Sequence, residues 1–145
     1  MKNCTDTKQP IILLIEDEEN LRRSITFTLL RQGYCVVPYD RVEEGLRIIG
    51  EYITQPHSIR LVITDLQLPG KNGMDLIRMV KTTASNIPIL VITGHANQET
   101  RNELSRLGVS DILDKPFNLD ELVTMVRKLL DGPPFKKDGN EIRAV

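Results

Sequence analysis

Short unbroken hydrophobic runs alternate along this chain with longer stretches in which hydrophobic residues recur every three or four positions. Residues 11–15 read Ile-Ile-Leu-Leu-Ile, and residues 34–37, 60–64, 87–93 and 109–113 read as four further strands, the last interrupted by Ser110 and Asp111. Continuous runs of this length, bounded by turn residues, predict strands buried on both faces. Pro38 lacks an amide donor and is expected to halt the second of them. Between the strands, Leu21, Ile25 and Leu29 predict a helix over 18–32, stopped by Gly33. Val42, Leu46, Ile49 and Ile53 predict a second, with Asp40 and Glu43 at capping-box spacing. The loop at 54–58 carries Pro56 and His57. Asn72 is placed to cap a third helix with Leu76, Ile77 and Val80 inward. Residues 97–107 predict a helix with few apolar anchors, chiefly Leu104 and Leu107. Asn118 and Glu121 cap a last helix over 118–130, whose apolar face is Leu119, Leu122, Val123, Val126, Leu129 and Leu130.

Five strands alternating with five helices predict an α/β fold, a doubly wound parallel sheet covered on both faces. A chain of 145 residues suffices for one domain with a real core. That domain is expected over residues 10–131. Residues 1–9 read as a polar N-terminal tail. Residues 132–145, with Gly132-Pro133-Pro134 and mixed charge, read as a C-terminal tail or linker.

Composition narrows the function classes. The formal net charge is −1, so no global field favours nucleic acid or an anionic membrane. No direct nucleic-acid binding by this chain and no membrane partner are expected. No apolar stretch approaches the roughly 20 residues that span a bilayer, and the polar segment Met1 to Pro10 does not read as a signal peptide. The expectation is a cytoplasmic protein with both cysteines reduced, Cys35 as a small buried hydrophobe and Cys4 in the polar tail.

The chemistry concentrates at strand ends. The first run ends in Glu16-Asp17-Glu18 and the third in Asp65. Thr93 ends the fourth, and Lys115 follows the fifth. Doubly wound sheets bind ligands beyond the carboxyl ends of their strands, so these residues are expected to share one pocket. Hard oxygen donors at this density suit Mg²⁺ or Mn²⁺. Without a cation, each carboxylate pair at about 4 Å costs on the order of 1 kcal/mol in water and about 4 kcal/mol at an effective dielectric of 20. Asp65 beside such an ion can act as a carboxylate nucleophile toward a phosphoryl group. Lys115 then supplies an opposing cation and Thr93 a hydroxyl donor. Glu18 reads as a helix-start acid with no metal role, and His57 as a solvated loop residue.

The segments Leu14-Ile15-Glu16-Asp17-Glu18, Val62-Ile63-Thr64-Asp65-Leu66-Gln67-Leu68-Pro69-Gly70, Val91-Ile92-Thr93-Gly94 and Asp114-Lys115-Pro116-Phe117 together resemble the receiver domain of two-component response regulators. The resemblance covers roughly residues 10–131. It implies a flavodoxin-like sheet of strand order 2-1-3-4-5. It implies that Asp65 accepts a phosphoryl group from a sensor histidine kinase or phosphotransfer protein. It also implies that Asp17, Asp65 and the main-chain carbonyl of Gln67 ligate Mg²⁺, with Glu16 acting through water. Thr93 and Lys115 match the residues that bind the phosphoryl group, and the Lys115–Pro116 bond matches a position commonly cis. The implied output is a switch on the face of helix 4, strand 5 and helix 5, a face that also serves homodimers. Such a protein is not an enzyme beyond its own phosphorylation and dephosphorylation.

Some positions depart from the family pattern. Glu16 stands where Asp is commoner. Ile112 stands where Tyr or Phe usually swings inward as the Thr at position 93 moves, and Ile has no ring to rotate. Gly94 replaces a common Ala. His95 and Gln67 lie where phosphate lifetime is tuned. Three other readings use the same residues. A haloacid-dehalogenase-type phosphatase would need an acid two residues after Asp65, where Gln67 stands. A flavodoxin-like cofactor binder would need a first loop without Glu16-Asp17-Glu18. A pseudo-receiver would dock without phosphorylation, as the departure at Ile112 allows.

Overall fold

The hydrophobic runs pair edge to edge in parallel. In the computed structural model, residues 11–52, 59–67, 72–84, 86–94 and 96–131 are described, together with two short strands nearer the C-terminus. The strands are β1 (Ile11–Ile15), β2 (Cys35–Tyr39), β3 (Ile59–Thr64), β4 (Ile89–Thr93) and β5 (Asp111–Asp114). They form one sheet of order β2-β1-β3-β4-β5. The helices are α1 (Glu19–Arg31), α2 (Val42–Tyr52), α3 (Gly73–Thr83), α4 (Gln98–Arg106) and α5 (Leu119–Asp131). The doubly wound α/β expectation and its strand order hold.

Alternation along each strand divides the core in two. Leu13, Ile15, Val62 and Val91 pack with Val42, Ile49, Leu76, Ile77 and Leu104 of α2, α3 and α4. Ile12, Leu14, Leu61, Ile63, Leu90 and Ile92 pack on the opposite face with Ile25, Leu29, Leu122 and Val126 of α1 and α5. Leu104 is the one buried residue of α4. That helix is therefore held by less apolar surface than its neighbours.

Helix ends follow local chemistry. Gly33 closes α1 with φ +96°, a left-handed conformation that favours glycine. Asn72 accepts from the Asp75 amide at the start of α3, and Asn97 does the same for Thr100 at the start of α4. Asn118 and Glu121 exchange the two hydrogen bonds of a capping box.

Several expectations need correction. Pro38 does not halt β2. It pairs in register with Leu14, and the strand runs on to Tyr39. β2 is an edge strand, where a missing amide donor costs no ladder bond. α2 begins at Val42, so Asp40 lies one residue before the cap position and its spacing to Glu43 does not close a capping box. β4 begins at Ile89, after Pro88, rather than at Ile87. β5 begins at Asp111 rather than Val109. Cys35 is buried as expected, but it is disulfide-bonded and not a free thiol. The chain's other cysteine, Cys4, lies outside the described residues, as do Ile53, the 54–58 loop and His95. Between residues 132 and 145, Lys136–Lys137 and Glu141–Ile142 pair antiparallel.

Candidate functional site

Parallel register brings the carboxyl ends of β1, β3, β4 and β5 to one edge of the sheet. Ile15 pairs with Thr64, and Thr93 with Asp114. The strand ladder extends one residue further, because the Asp65 amide donates to the Ile15 carbonyl at 3.1 Å. The Lys115 amide donates to the Thr93 carbonyl at 2.9 Å. The next side chains after each strand therefore converge on a common volume.

Glu16, Asp17 and Asp65 each bring a carboxylate oxygen within 4.8 Å of the others. Glu16 is fully buried and Asp65 nearly so, while Asp17 is exposed at the mouth. Lys115 Nζ lies 2.7 Å from Asp65 Oδ2 and 2.9 Å from Glu16 Oε1. The contact to Asp65 is an aligned hydrogen bond. Glu16 Oε1, in contrast, is close to the ammonium but accepts no aligned hydrogen bond. The remaining carboxylate oxygens are partly met by the main chain. Glu16 Oε2 accepts from the Glu18 amide at 3.0 Å, and Asp65 Oδ1 from the Gln67 amide at 3.1 Å.

Burial raises the Glu16 carboxyl above its ordinary range, against the opposing pull of Lys115 and the Glu18 amide. Burial also works against the Lys115 ammonium, but its hydrogen bond to Asp65 and its close contact with the Glu16 carboxylate outweigh that and hold its pKa above the ordinary lysine value. One partly buried ammonium thus serves two acids. The three acids fit a hard divalent cation, since the buried Oε1 has no aligned donor and all the side-chain donors are oxygens. The cluster of Glu16, Asp17 and Asp65 is one that can hold such an ion.

Thr93 is fully buried at the end of β4. Ile112 sits two register pairs back from the Thr93–Asp114 end of the strands, opposite Val91, and packs on the α2–α3–α4 face of the core. The Lys115–Pro116 peptide is cis. Gln67 is exposed beside Asp65, and no acid stands at its position.

Three residues escaped the reading of the sequence. A Cβ on Gly73 would lie 2.1 Å from the Asp65 carbonyl oxygen and 2.9 Å from Leu66 Cα. The first turn of α3 can approach the Asp65 main chain only without a side chain there. The Gly73 amide donates to the Leu66 carbonyl at 3.1 Å and ties the two segments. Arg22, on α1, donates to the Glu16 carbonyl at 2.9 Å. Arg101, on α4, donates to the Ala96 carbonyl and to both carboxylate oxygens of Asp114. Only a glycine directly after the Asn72 cap hinted at any of these contacts.

The response regulator receiver domain family matches residues 12–127 of this chain. A probable transcriptional regulatory protein of Picosynechococcus sp. is 38% identical over 126 residues, covering 86% of this chain and 50% of that protein. The two-component response regulator PhoP of Pseudomonas aeruginosa is 35% identical over 119 residues, covering 82% of this chain and 51% of PhoP. The chain thus spans about half the length of the curated relatives it matches. Among solved structures, the non-phosphorylated HemR receiver domain of Leptospira biflexa superposes with a TM-score of 0.74 at 30% identity, covering 84% of this chain and 94% of that one.

Proposed function

The chain belongs to the response regulator receiver domain family, and we propose that it works as a phosphorylation-controlled switch with Asp65 as the acceptor. Response regulators are signalling proteins rather than classical enzymes. On this reading the chain promotes only its own phosphorylation and dephosphorylation. The donor is a sensor histidine kinase or a phosphotransfer protein.

An Asp65 carboxylate oxygen attacks the phosphorus of a phosphohistidine. The O–P bond forms as the P–N bond breaks. The electron pair of that bond returns to the imidazole nitrogen, which takes up a proton. Asp17, Asp65 and the Gln67 carbonyl, with Glu16 beside them, would hold Mg²⁺ or Mn²⁺, and such an ion would supply charge compensation for the phosphoryl oxygens. Lys115 moves from the Asp65 carboxylate to a phosphoryl oxygen. Thr93 donates its hydroxyl to another. Phosphorylation adds close to two negative charges and three acceptor oxygens beside these groups. The resulting shift is read on the α4–β5–α5 face, by a downstream partner, an output domain or a second copy of the chain. The working unit is residues 10–131, with 1–9 and 132–145 as tails and the cytoplasm as its compartment. Limited proteolysis that trims to those bounds supports this division, and cleavage inside them counts against it.

The observation that carries the reading is Lys115 Nζ at 2.7 Å from Asp65 Oδ2, in a pocket where three carboxylates converge. Its test is incubation with Mg²⁺ and acetyl phosphate, followed by intact mass. One added phosphoryl group, lost in Asp65→Asn, is the expected result. A second reading, a docking module that works without phosphorylation, draws on Ile112 in place of the switch aromatic. No adduct, with a donor competent on a control receiver, selects that second reading.

A further inference from the structure

Arg101 joins the two segments that carry the residues expected to bind the phosphoryl group. Its Nε donates to the Ala96 carbonyl at 3.1 Å, three residues after Thr93. Its Nη2 donates to Asp114 Oδ1 at 2.8 Å and Oδ2 at 3.1 Å, one residue before Lys115. The β4–α4 loop and the end of β5 are thus held together by one guanidinium rooted in α4. The other anchors of α4 are few. Among the described residues they are the buried Leu104, the partly buried Leu107 at the helix end and the ion pair from Arg78 of α3 to Glu103. Ile112, which has no ring to carry a signal, packs beneath the same helix region.

We propose that Arg101 is a positioning residue whose clasp on Ala96 and Asp114 relays occupancy of Asp65 to α4. The proposal rests on Asp65 being the phospho-acceptor. A phosphoryl group that draws Thr93 and Lys115 inward displaces the two clasped segments by unequal amounts. A relative shift of about 1 Å takes hydrogen bonds of this length past the range in which they count. A rigid planar guanidinium that reaches Ala96 through Nε and Asp114 through Nη2 is intolerant of such a shift, where a flexible lysine would follow it. Loss of the clasp leaves α4 with Leu104, Leu107 and one exposed ion pair.

The test compares full-length wild type with Arg101→Met, Asp114→Ala, the double variant and Glu103→Gln. The readouts are α4 amide exchange and the rate of phosphoryl adduct formation from acetyl phosphate with Mg²⁺. Each clasp variant is expected to raise α4 exchange about fivefold without phosphorylation, the factor that about 1 kcal/mol carries. The double variant should show no further rise, because both substitutions remove one contact. Adduct formation should speed up in the clasp variants. Glu103→Gln should loosen α4 without changing the adduct rate, which separates a relay from plain helix support. Adduct on wild type with unchanged exchange and rate in Arg101→Met overturns the relay alone. So does additivity of the two substitutions, or an equal rate gain in Glu103→Gln. No adduct on wild type overturns the Asp65 reading and the relay together.

Discussion

Lys115 Nζ donates to Asp65 Oδ2 at 2.7 Å and stands 2.9 Å from Glu16 Oε1, so a single ammonium compensates two acids that the fold has taken out of water. Lys115 is itself 23% exposed, against 6% for the Asp65 side chain and none for Glu16. Breaking a fully buried pair costs about 3–5 kcal/mol. Solvent at the lysine brings the expected cost of Lys115→Met down to about 2 kcal/mol in chelator. That corresponds to about 5 °C in melting midpoint for a chain of this size. Added Mg²⁺ should recover more of the midpoint in the variant than in wild type, because the ion then replaces the missing cation. Thermal melts with and without Mg²⁺ check this. Equal Mg²⁺ shifts in both proteins would show that the acids and the ion do not share the charge.

The metal-free pocket should also show a pH signature. Burial displaces the Glu16 carboxyl upward from its ordinary 4.5. The folded chain then binds that proton more tightly than the unfolded chain. The contribution is most favourable below pH 4.5 and is lost as pH rises through the folded value. Lys115 works at the other end. Its folded pKa is raised above 10.5, so its stabilisation is present below that pH and lost as pH rises through the folded value. Glu16→Gln should therefore match wild type at acid pH and exceed it at neutral pH, in chelator. Each unit of displacement corresponds to about 1.4 kcal/mol. The same variant should bind Mg²⁺ more weakly. Melts across pH decide it, and a wild type more stable than Glu16→Gln at neutral pH would refute the sign.

The fold was legible because fully buried parallel strands leave unbroken hydrophobic runs, and because acids directly after two such runs have few places to go but the sheet edge. The approach of Glu16, Asp17, Asp65 and Lys115 could be expected from that alone. Other features depend on what lies across space. Pro38 breaks a central strand but not an edge strand, and the local hydrophobic pattern that placed its stop there does not say which strand is the edge. The need for glycine at 73 comes from the Asp65 carbonyl pressing on α3. The clasp of Arg101 spans 13 residues to Asp114 and crosses from α4 to β5, with no local pattern to announce it. The disulfide of Cys35 was hidden because a cysteine in an apolar strand reads as an ordinary small hydrophobe.

That disulfide gives a direct chemical test. Cys35 is fully buried in β2 and its sulfur is bonded. Iodoacetamide on the unreduced, unfolded chain should add no label at Cys35, and labelling should appear after reduction. A native disulfide of this kind typically contributes about 2–4 kcal/mol, chiefly by restricting the unfolded chain. Dithiothreitol should accordingly lower the melting midpoint. Labelling of Cys35 without reductant, read by peptide mass, would place the thiol back among ordinary core residues.

Gly73 offers the sharpest separation between stability and site geometry. A Cβ at this position would stand 2.1 Å from the Asp65 carbonyl oxygen, and that neighbour is main chain, so no side-chain rotation relieves the clash. Either α3 lifts away or the Asp65 main chain moves. Overpacking of this kind costs about 1–3 kcal/mol. The Asp65 carbonyl belongs to the residue whose carboxylate is proposed to attack phosphorus, and its Oδ1 is fixed by the Gln67 amide two residues on. Gly73→Ala should therefore slow adduct formation from acetyl phosphate about tenfold or more at a temperature where the variant remains folded, since small displacements of a positioned group cost large factors in rate. Gly50, on α2, has open space around its Cβ position and serves as the comparison. Gly50→Ala should leave the adduct rate unchanged and hold or raise the melting midpoint. A Gly73→Ala variant that melts lower yet forms adduct at the wild-type rate would show that α3 yields and Asp65 stays in place.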